Sequence, residues 1–284
     1  MLKTLAIVVL LLAAVATAAM AFGTFHWRAG IRDLLIGLDA ARTPMAPKIV
    51  DFRELEDLPV PVQRYFRAVL KEGQPMIAAA TVELTGTFNM SATDEQWKPF
   101  TSRQRVVTRR PGFLWDAQIS MLPGLTVRVV DGYIAGKGLL HAAILGLFTV
   151  ADVSGDREID RGEFMRFFGE VAWYPTALLP SQGVRWEALD DRSAHATIVD
   201  GPLALTLLFR FSDAGLIDSF RAEARGGIVG KEMVMAPWEG SWSNYQTRDG
   251  MTVPFNGEVA WIRPEGRKSY FRGAVTSLTY EFSP

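Results

Sequence analysis

Residues 79–90 read AATVELTGTFNM, and apolar and polar side chains alternate along them. Val82, Leu84 and Phe88 fall on one face of an extended chain, whereas Glu83 and Thr85 fall on the other. Strict alternation is the pattern of a β-strand that buries one face. This stretch therefore predicts a half-buried strand, and its neighbours decide how that strand is paired.

Three further segments of the same kind follow directly, at 101–109, 113–121 and 125–135. Pro111-Gly112 and Pro123-Gly124 separate them, and such pairs are typical of tight turns. Four consecutive strands with short connections favour an antiparallel meander over parallel strands joined by helices.

Strand patterns resume in the second half of the chain, at 184–188, 195–199, 203–212, 217–224, 228–236, 241–247, 252–262 and 269–282. Strands that recur about every ten residues favour a barrel, a half-barrel or a sandwich. Since no long polar linker separates the two strand blocks, residues 58–284 are predicted to form a single β-rich domain. The expected fold class is α+β, with about ten strands in one large, curved, half-barrel-like antiparallel sheet and two to four helices packed on its concave face.

Three segments predict those helices. Leu58-Pro-Val-Pro-Val opens a helix that should run to about Lys71. A helical insertion is expected at about 138–180. Within it, Leu139–Val150 is apolar on nearly every side, which predicts burial, and Glu163–Leu179 is amphipathic.

The N-terminal segment indicates a membrane. Thr4 to Phe22 carries no charge, and at about 1.5 Å per residue it can cross the hydrocarbon core. Residues 1–27 fit either a cleaved signal peptide or an uncleaved anchor. Residues 28–57 follow as a short amphipathic helix and a proline-containing linker. With Lys3 as the nearest cytoplasmic charge, both alternatives predict a cell-envelope protein on the periplasmic or extracytoplasmic side.

Composition excludes several classes of protein. The chain has 284 residues, 49% of them apolar and 21% charged, and a net charge of −1. Such a charge gives no electrostatic basis for general nucleic-acid binding, and the basic run at 103–110 alternates as a solvated strand does. There is no cysteine, which excludes disulfides, thiolate nucleophiles and a lipidated N-terminal cysteine.

Residues 152–163 read DVSGDREIDRGE and offer oxygen ligands at several positions of a twelve-residue calcium loop. Arg157 stands at the sixth position, where the sharp turn calls for glycine. The other interpretation is an acidic turn in which Asp160 caps the next helix and Glu163 completes a capping box. Calcium binding therefore stays an alternative, and no metal site or cofactor is assigned.

Catalytic motifs give little support to an enzyme. His26, His141 and His195 are far apart in sequence, and no nucleophile-elbow, phosphate-loop or dinucleotide-binding pattern occurs. No residue is assigned a catalytic role. A carboxylate-based hydrolytic enzyme that uses Glu170, Glu239 and Arg185 remains one alternative.

Aromatic and apolar residues point to a ligand cavity. The strand at 203–211 is largely apolar on both faces, so both faces must be covered. We expect the cavity between sheet and helices to be lined by Trp173, Tyr174, Trp186, Leu207, Phe209 and Trp242. Glu170, Arg185 and Glu239 would orient a polar head group. The leading interpretation is an exported, membrane-proximal protein that binds an apolar or amphiphilic molecule such as a lipid; the other is an envelope scaffold or interaction module without a small ligand.

Several segments resemble an uncharacterised bacterial family of membrane-anchored or exported proteins. They are Pro99-Phe-Thr101, Pro111-Gly-Phe-Leu-Trp-Asp116, Gly169-Glu-Val-Ala-Trp-Tyr-Pro-Thr-Ala-Leu-Leu-Pro180 and Pro237-Trp-Glu-Gly-Ser-Trp242, with Asp131-Gly-Tyr133 a weaker match. The resemblance covers about residues 58–282 and implies no activity or functional residue. The order of elements is also similar to that of the half-barrel of periplasmic lipoprotein carriers, which is an analogy of fold and does not fix function.

Overall fold

A computed structural model describes residues 1–91, 94–229 and 232–283. In this part of the chain thirteen strands form a single antiparallel sheet. The strands are β1 (Ile77–Asn89), β2 (Trp97–Val107), β3 (Gly112–Leu122), β4 (Leu125–Ile134), β5 (Lys137–Ile144), β6 (Phe148–Ser154), β7 (Arg185–Asp190), β8 (Ser193–Asp200), β9 (Leu203–Phe211), β10 (Ile217–Val229), β11 (Glu232–Arg248), β12 (Met251–Arg263) and β13 (Gly266–Phe282).

The sheet has the order β6-β5-β4-β3-β2-β1-β13-β12-β11-β10-β9-β8-β7. Each block of strands is a meander, and the pairing of β1 with β13 joins the two blocks. Every strand pairs with its neighbour in sequence except β6 and β7, which form the two edges of the sheet, so the predicted antiparallel meander is confirmed.

Three α-helices accompany the sheet: α1 (Leu2–Ala40), α2 (Val60–Val69) and α3 (Arg157–Gly169). The helix α3 contacts β3 to β6 and also β9 and β10, which lie far apart in the sheet order. One helix can contact both sets of strands only if the sheet curls around it. The predicted α+β fold with a curved antiparallel sheet is thus confirmed, with thirteen strands in place of about ten.

The main core lies on the concave side of the sheet. It contains α3, the short 3-10 turns from Val171 to Gln182, and α2, which lies against β8 and β12. Tyr65 and Phe66 of α2 are buried, and their rings pack against Phe211 and Trp186. The helix α2 therefore closes one end of the half-barrel.

The prediction of a helical insertion at about 138–180 is wrong for residues 138–156. Residues 137–154 form the hairpin of β5 and β6, and the helix begins only at Arg157. Leu139–Val150 was expected to be buried, yet Phe148 and Val150 are exposed by 66% and 56%. An unbroken apolar run does not distinguish a buried helix from a strand, and here the exposed residues lie at an edge strand.

Two long strands were predicted as several short ones. The strand β10 continues through Gly226 and Gly227 to residue 229, and β11 continues through Pro237. Residues 232–236 and 241–247, predicted in separate strands, therefore both belong to β11, and residues 230–231 lie outside the described residues. Glycine and proline usually interrupt a strand. At Gly227 the ring of Trp261 occupies the space that a side chain would need, since a Cβ added to this glycine would lie 2.9 Å from the ring.

A second, smaller core lies on the convex face of the sheet. The last half of α1 packs there with Trp27 and Leu38 buried, and Ile31, Leu34 and Leu35 half-buried between them. These residues form the apolar face that the sequence predicts for the short amphipathic helix, but this face covers the convex side of the sheet. The amphipathic helix and the apolar N-terminal segment form one continuous helix, α1. Two of the three α-helices are therefore on the concave side and one is on the convex side.

Candidate functional site

A cavity of about 940 Å³ lies between α3 and the concave face of the sheet. One helix face forms one wall, with Ile159, Glu163, Arg166 and Glu170 spaced along it. Strands β1, β3 to β5 and β10 to β13 form the opposite wall. The volume is at the upper end of the range of small-molecule sites.

Most of the lining is apolar. The sheet contributes aromatic rings and branched side chains from several strands, among them Phe88, Trp115, Val129, Leu140, Trp238, Val259, Trp261, Tyr270 and Phe271. At one end the cavity reaches the hairpin tips of β1–β2, β10–β11 and β12–β13. Met233, Val234 and Met235 line it there and are exposed by 41 to 47%. The cavity therefore opens to solvent between these tips.

A charged cluster around Arg166 forms the inner wall. Its guanidinium is paired with Asp131 and, at 2.9 Å, with Glu170. Gln104 is fully buried and donates to the second oxygen of Glu170 at 2.5 Å. The Arg166 guanidinium also stacks over the ring of Trp115 at 4.8 Å. Burial alone would lower the pKa of Arg166, but the two carboxylates outweigh it and raise that pKa.

A second ion pair, between Arg225 of β10 and Glu163 of α3, lies deeper. The side chains of both residues are 9% exposed, and Nη2 lies 3.4 Å from Oε1. Arg225 also stacks on Trp238, with 4.3 Å between its guanidinium carbon and the ring centroid, and Trp238 donates to the Tyr270 hydroxyl at 3.0 Å. Both Arg225 and Glu163 line the cavity.

Burial raises the pKa of Glu163 well above its usual value. The nearby carboxylate of Asp131 raises this pKa further, and Arg225 and Arg166 offset only part of the effect. Within the described residues, Glu163 Oε2 and Asp131 Oδ1 are both buried without a hydrogen-bond partner. A proton held between the two carboxyl groups would satisfy both oxygens, as the raised pKa favours.

The apolar residues that the sequence singles out do not line this cavity. Trp173, Tyr174, Trp186, Leu207, Phe209 and Trp242 are buried in the main core. The indole N–H of Trp173 donates to the Pro254 carbonyl at 3.1 Å, and that of Trp186 to the Leu178 carbonyl at 3.0 Å. The indole N–H of Trp242 is buried without a hydrogen-bond partner among the described residues. The 3-10 turns and α2 fill the space that was expected to be open at this end of the half-barrel.

The three polar residues predicted to orient a head group, Glu170, Arg185 and Glu239, do not lie together. Glu170 lines the cavity. Glu239 lies at the opposite face of its strand from Trp238 and pairs with Arg267 at 3.3 Å and with Arg221 at 3.8 Å. Arg185 is exposed on the edge strand β7. The proposed hydrolytic trio of Glu170, Glu239 and Arg185 therefore does not share one site.

The segment 152–163 is neither a calcium loop nor the expected capping box. Asp156, and not Asp160, caps α3, because its carboxylate accepts from the Glu158 amide at 2.7 Å. Asp160 instead accepts from the Gly138 amide at 2.7 Å, and Glu163 faces Arg225. The carboxylates point to different partners, and no group of three potential metal ligands occurs among the described residues.

The sequence carried a signal for the charged cluster, although the prediction missed it. Asp131 alternates with Val129 and Tyr133 on a strand, so its carboxylate falls on the face of apolar neighbours. Glu163 and Arg166 likewise stand in a helix among phenylalanines. A charge on an otherwise apolar face requires a buried partner. Arg225 was harder to place, since a bulge in β10 shifts the alternation after Ala222.

Comparisons with known proteins place the chain in a family but give it no function. A family model described as "Family of unknown function (DUF6920)" matches residues 56–280, which confirms the resemblance found in the sequence over residues 58–282. No curated protein matches. Among solved structures, the chain is similar to a LolA superfamily protein from Nitrosomonas europaea, with 9% identity, a TM-score of 0.34, and coverage of 79% of this chain and 93% of that chain.

Proposed function

The chain belongs to this family of unknown function, and we propose that it binds an amphiphilic, lipid-like molecule in the cavity between α3 and the sheet. The observation that supports the proposal most is the cavity itself, whose 940 Å³ is enclosed mainly by aromatic and aliphatic side chains. Such surface in contact with water is unfavourable, and an apolar chain that replaces the water is stabilised by about 25 cal/mol per Å² buried.

The mouth of the cavity suits a ligand of variable shape. Met90, Met233 and Met235 line it, each between 37 and 47% exposed. Methionine is unbranched and polarisable, so it adapts to apolar surfaces of different form. A mouth of this kind can admit acyl chains of different lengths.

The inner wall supplies a place for a polar group. The Nε–H of Arg225 is buried and has no hydrogen-bond partner among the described residues. An unmade hydrogen bond of a buried cation is costly, so a small movement of the side chain that lets a ligand oxygen accept this hydrogen bond would be favourable. Arg166 is already paired with Asp131 and Glu170. We therefore infer that Arg225 orients the polar end of the ligand, with Glu170 and Glu163 limiting how much negative charge is tolerated.

The N-terminal segment supports a location at the membrane. Helix α1 is the one helix in the described residues that is long and apolar enough to cross a bilayer. We propose that it anchors the protein on the extracytoplasmic face, or delivers it there as a signal peptide, so that the cavity lies close to a source of lipid.

A direct test is binding of an NBD-labelled fatty acid to the full chain in nanodiscs, together with native mass spectrometry of co-purified lipid. Ala236 is half-buried on the cavity wall, and Ala236→Trp should weaken probe binding at least tenfold because the indole occupies the space of the acyl chain. Ala188→Trp, at an exposed position of β7, is the matched control and should bind normally. No lipid in the purified protein and equal probe binding in both variants would contradict the proposal.

A second candidate function is proton-transfer chemistry at the same wall. The raised pKa of Glu163 beside Asp131 favours it, since a carboxyl group whose protonated form is stabilised can act as a general acid. Incubation with an envelope lipid extract, followed by mass spectrometry of the products, tests this. Product formation that Glu163→Gln abolishes would establish an enzyme, and an unchanged extract would leave the binding function.

A further inference from the structure

We propose that the rim of hairpin tips β3–β4 and β5–β6 sits on the surface of a phospholipid bilayer, so that the mouth of the cavity faces the membrane while α1 crosses it. The inference rests on the proposed membrane anchor and deepens the proposed function, because it states where the ligand enters.

The first step is the position of the apolar segment relative to the sheet. Gly23 is buried, and a Cβ added to it would lie 2.7 Å from the Leu145 carbonyl oxygen and 2.7 Å from the Leu147 side chain. The helix backbone therefore touches the tip of the β5–β6 hairpin. Phe22 immediately precedes this contact, and the chain carries no charge from Thr4 to Phe22.

The second step is the direction of α1. After Gly23 the helix runs along the convex face of β2 to β4: Thr24 is hydrogen-bonded to Arg128 at 3.2 Å, and Trp27 to Asp116 at 2.9 Å. Leu38 packs against Gly112, the first residue of β3, and so lies at the end of the strand opposite to the β3–β4 tip. Because α1 is a single helix, its apolar first half continues beyond the rim that holds the hairpin tips. That half is about 30 Å long at 1.5 Å per residue, which matches the hydrocarbon core.

The third step is the surface that this geometry turns to the membrane. Leu122 at the β3–β4 tip is 64% exposed and Phe148 at the β5–β6 tip is 66% exposed. The tips are adjacent, since Leu145 donates its amide to the Thr126 carbonyl at 2.9 Å. Large apolar side chains grouped at a surface indicate an interaction site. Their position beside the end of the apolar segment identifies the partner as the headgroup and acyl boundary of the bilayer.

The fourth step links this surface to the cavity. Strands β1 to β5 are consecutive antiparallel neighbours, so their β1–β2, β3–β4 and β5–β6 connections lie at the same edge of the sheet. The β1–β2 connection is at the cavity mouth, which Met90 lines together with Met233 and Met235. The opposite end is closed by α2. A bilayer in contact with the rim would thus lie at the open end, and a lipid could move from membrane to cavity without crossing water.

The experiment is site-directed spin labelling of the full chain in phosphatidylcholine–phosphatidylglycerol vesicles. The chain has no cysteine, so Phe148→Cys and Leu122→Cys place a single nitroxide at each tip. Leu189→Cys, an exposed apolar position of β7 beside the closed end, is the control. Neither tip residue lines the cavity, so NBD-labelled fatty-acid binding should be unchanged in all three proteins.

In lipid, oxygen relaxes a nitroxide efficiently while a water-soluble nickel chelate does not. We expect the ratio of the two accessibilities to be at least tenfold higher at 148 and 122 than at 189. Equal ratios at all three positions would overturn the docking of the rim, even if the probe still binds. Low accessibility to both reagents at the tips would indicate a protein partner and would also overturn it. Lipid-like accessibility without probe binding would instead support the docked rim and contradict the proposed function.

Discussion

Removal of Arg225 should expose how strongly the cavity depends on its buried charges. In Arg225→Met, the apolar part of the side chain is kept, but Glu163 loses the cation 3.4 Å from its carboxylate. At a pH where Glu163 is ionised, breaking one side of a buried ion pair usually costs about 3–5 kcal/mol, because the remaining charge stays without compensation. We expect the lower end, about 3 kcal/mol, since the separation is long for an ion pair.

The stacking of Arg225 on Trp238 adds to this loss. The guanidinium lies 4.3 Å from the ring centroid and both residues are buried, and such a desolvated contact contributes about 1 kcal/mol or more. The total is about 4 kcal/mol in the free energy of unfolding. For a domain of this size it corresponds to a fall in Tm of roughly 10 °C.

The pH dependence identifies the cause. The pKa of Glu163 is raised in the folded state, so the stability linked to its proton is fully present below the unfolded value near 4.5 and is lost as the pH rises through the folded pKa. Removal of Arg225 raises this pKa further. The difference in Tm between Arg225→Met and the wild type should therefore be small at pH 5 and grow toward pH 8.

The assay is thermal melting in detergent micelles, followed by circular dichroism at both pH values. The double variant Arg225→Met, Glu163→Gln removes the uncompensated charge and should recover most of the loss at pH 8. A single variant that loses less than about 1 kcal/mol would refute the reasoning. A double variant as unstable as the single one would show that packing on Trp238, and not the charge of Glu163, is responsible.

Four further variants test the packing of α1 and the sheet. Gly23→Ala should lower Tm because its methyl group meets a carbonyl oxygen at 2.7 Å, whereas Gly30→Ala, with open space around it, should raise stability by about 0.5–1 kcal/mol. Trp27→Phe should lower the free energy of unfolding by about 2 kcal/mol, because it removes the 2.9 Å hydrogen bond to the carboxylate of Asp116. Burial already raises the pKa of this carboxyl group, so the loss of a donor leaves its charge poorly compensated. Tyr133→Phe should lower the free energy of unfolding by about 1–3 kcal/mol, since the buried carboxylate of Asp200 loses the hydroxyl that donates to it at 2.8 Å. Melting curves that leave any of these variants unchanged would contradict the corresponding contact.

The strands were predictable from sequence where one face is buried and the other is solvated. In β1 and β2 the alternation of apolar and polar side chains matches the observed burial, and Pro-Gly pairs mark their neighbours' ends. The hairpin of β5 and β6 was not predictable in this way. Its apolar residues have no period, because some of them, such as Phe148, are exposed at the rim rather than buried.

The candidate site was predictable only in part. Glu170 lines the cavity, and its expected role in orienting a head group stays a prediction. The aromatic residues chosen with it fill the core, because sequence gives the size of a side chain but not whether another element occupies the space in front of it. Trp173 is covered by Trp242 at 4.9 Å between ring centroids. The residues that do line the cavity come from eight strands and one helix, and such a set becomes visible only once the sheet is curled.

The apolar N-terminal segment should be dispensable for the fold and decisive for location. The described side chains from Leu2 to Phe22 are exposed, whereas Gly23 and Trp27 are buried against the sheet. A chain that starts at Gly23 keeps every contact of α1 with the sheet, so its Tm should stay within about 2 °C of the full chain, a shift of about 1 kcal/mol or less. The same chain should be released from membranes by alkaline carbonate, while the full chain is retained. A large fall in Tm would show that the apolar segment packs on the protein, and it would remove the reason to place the rim at the bilayer.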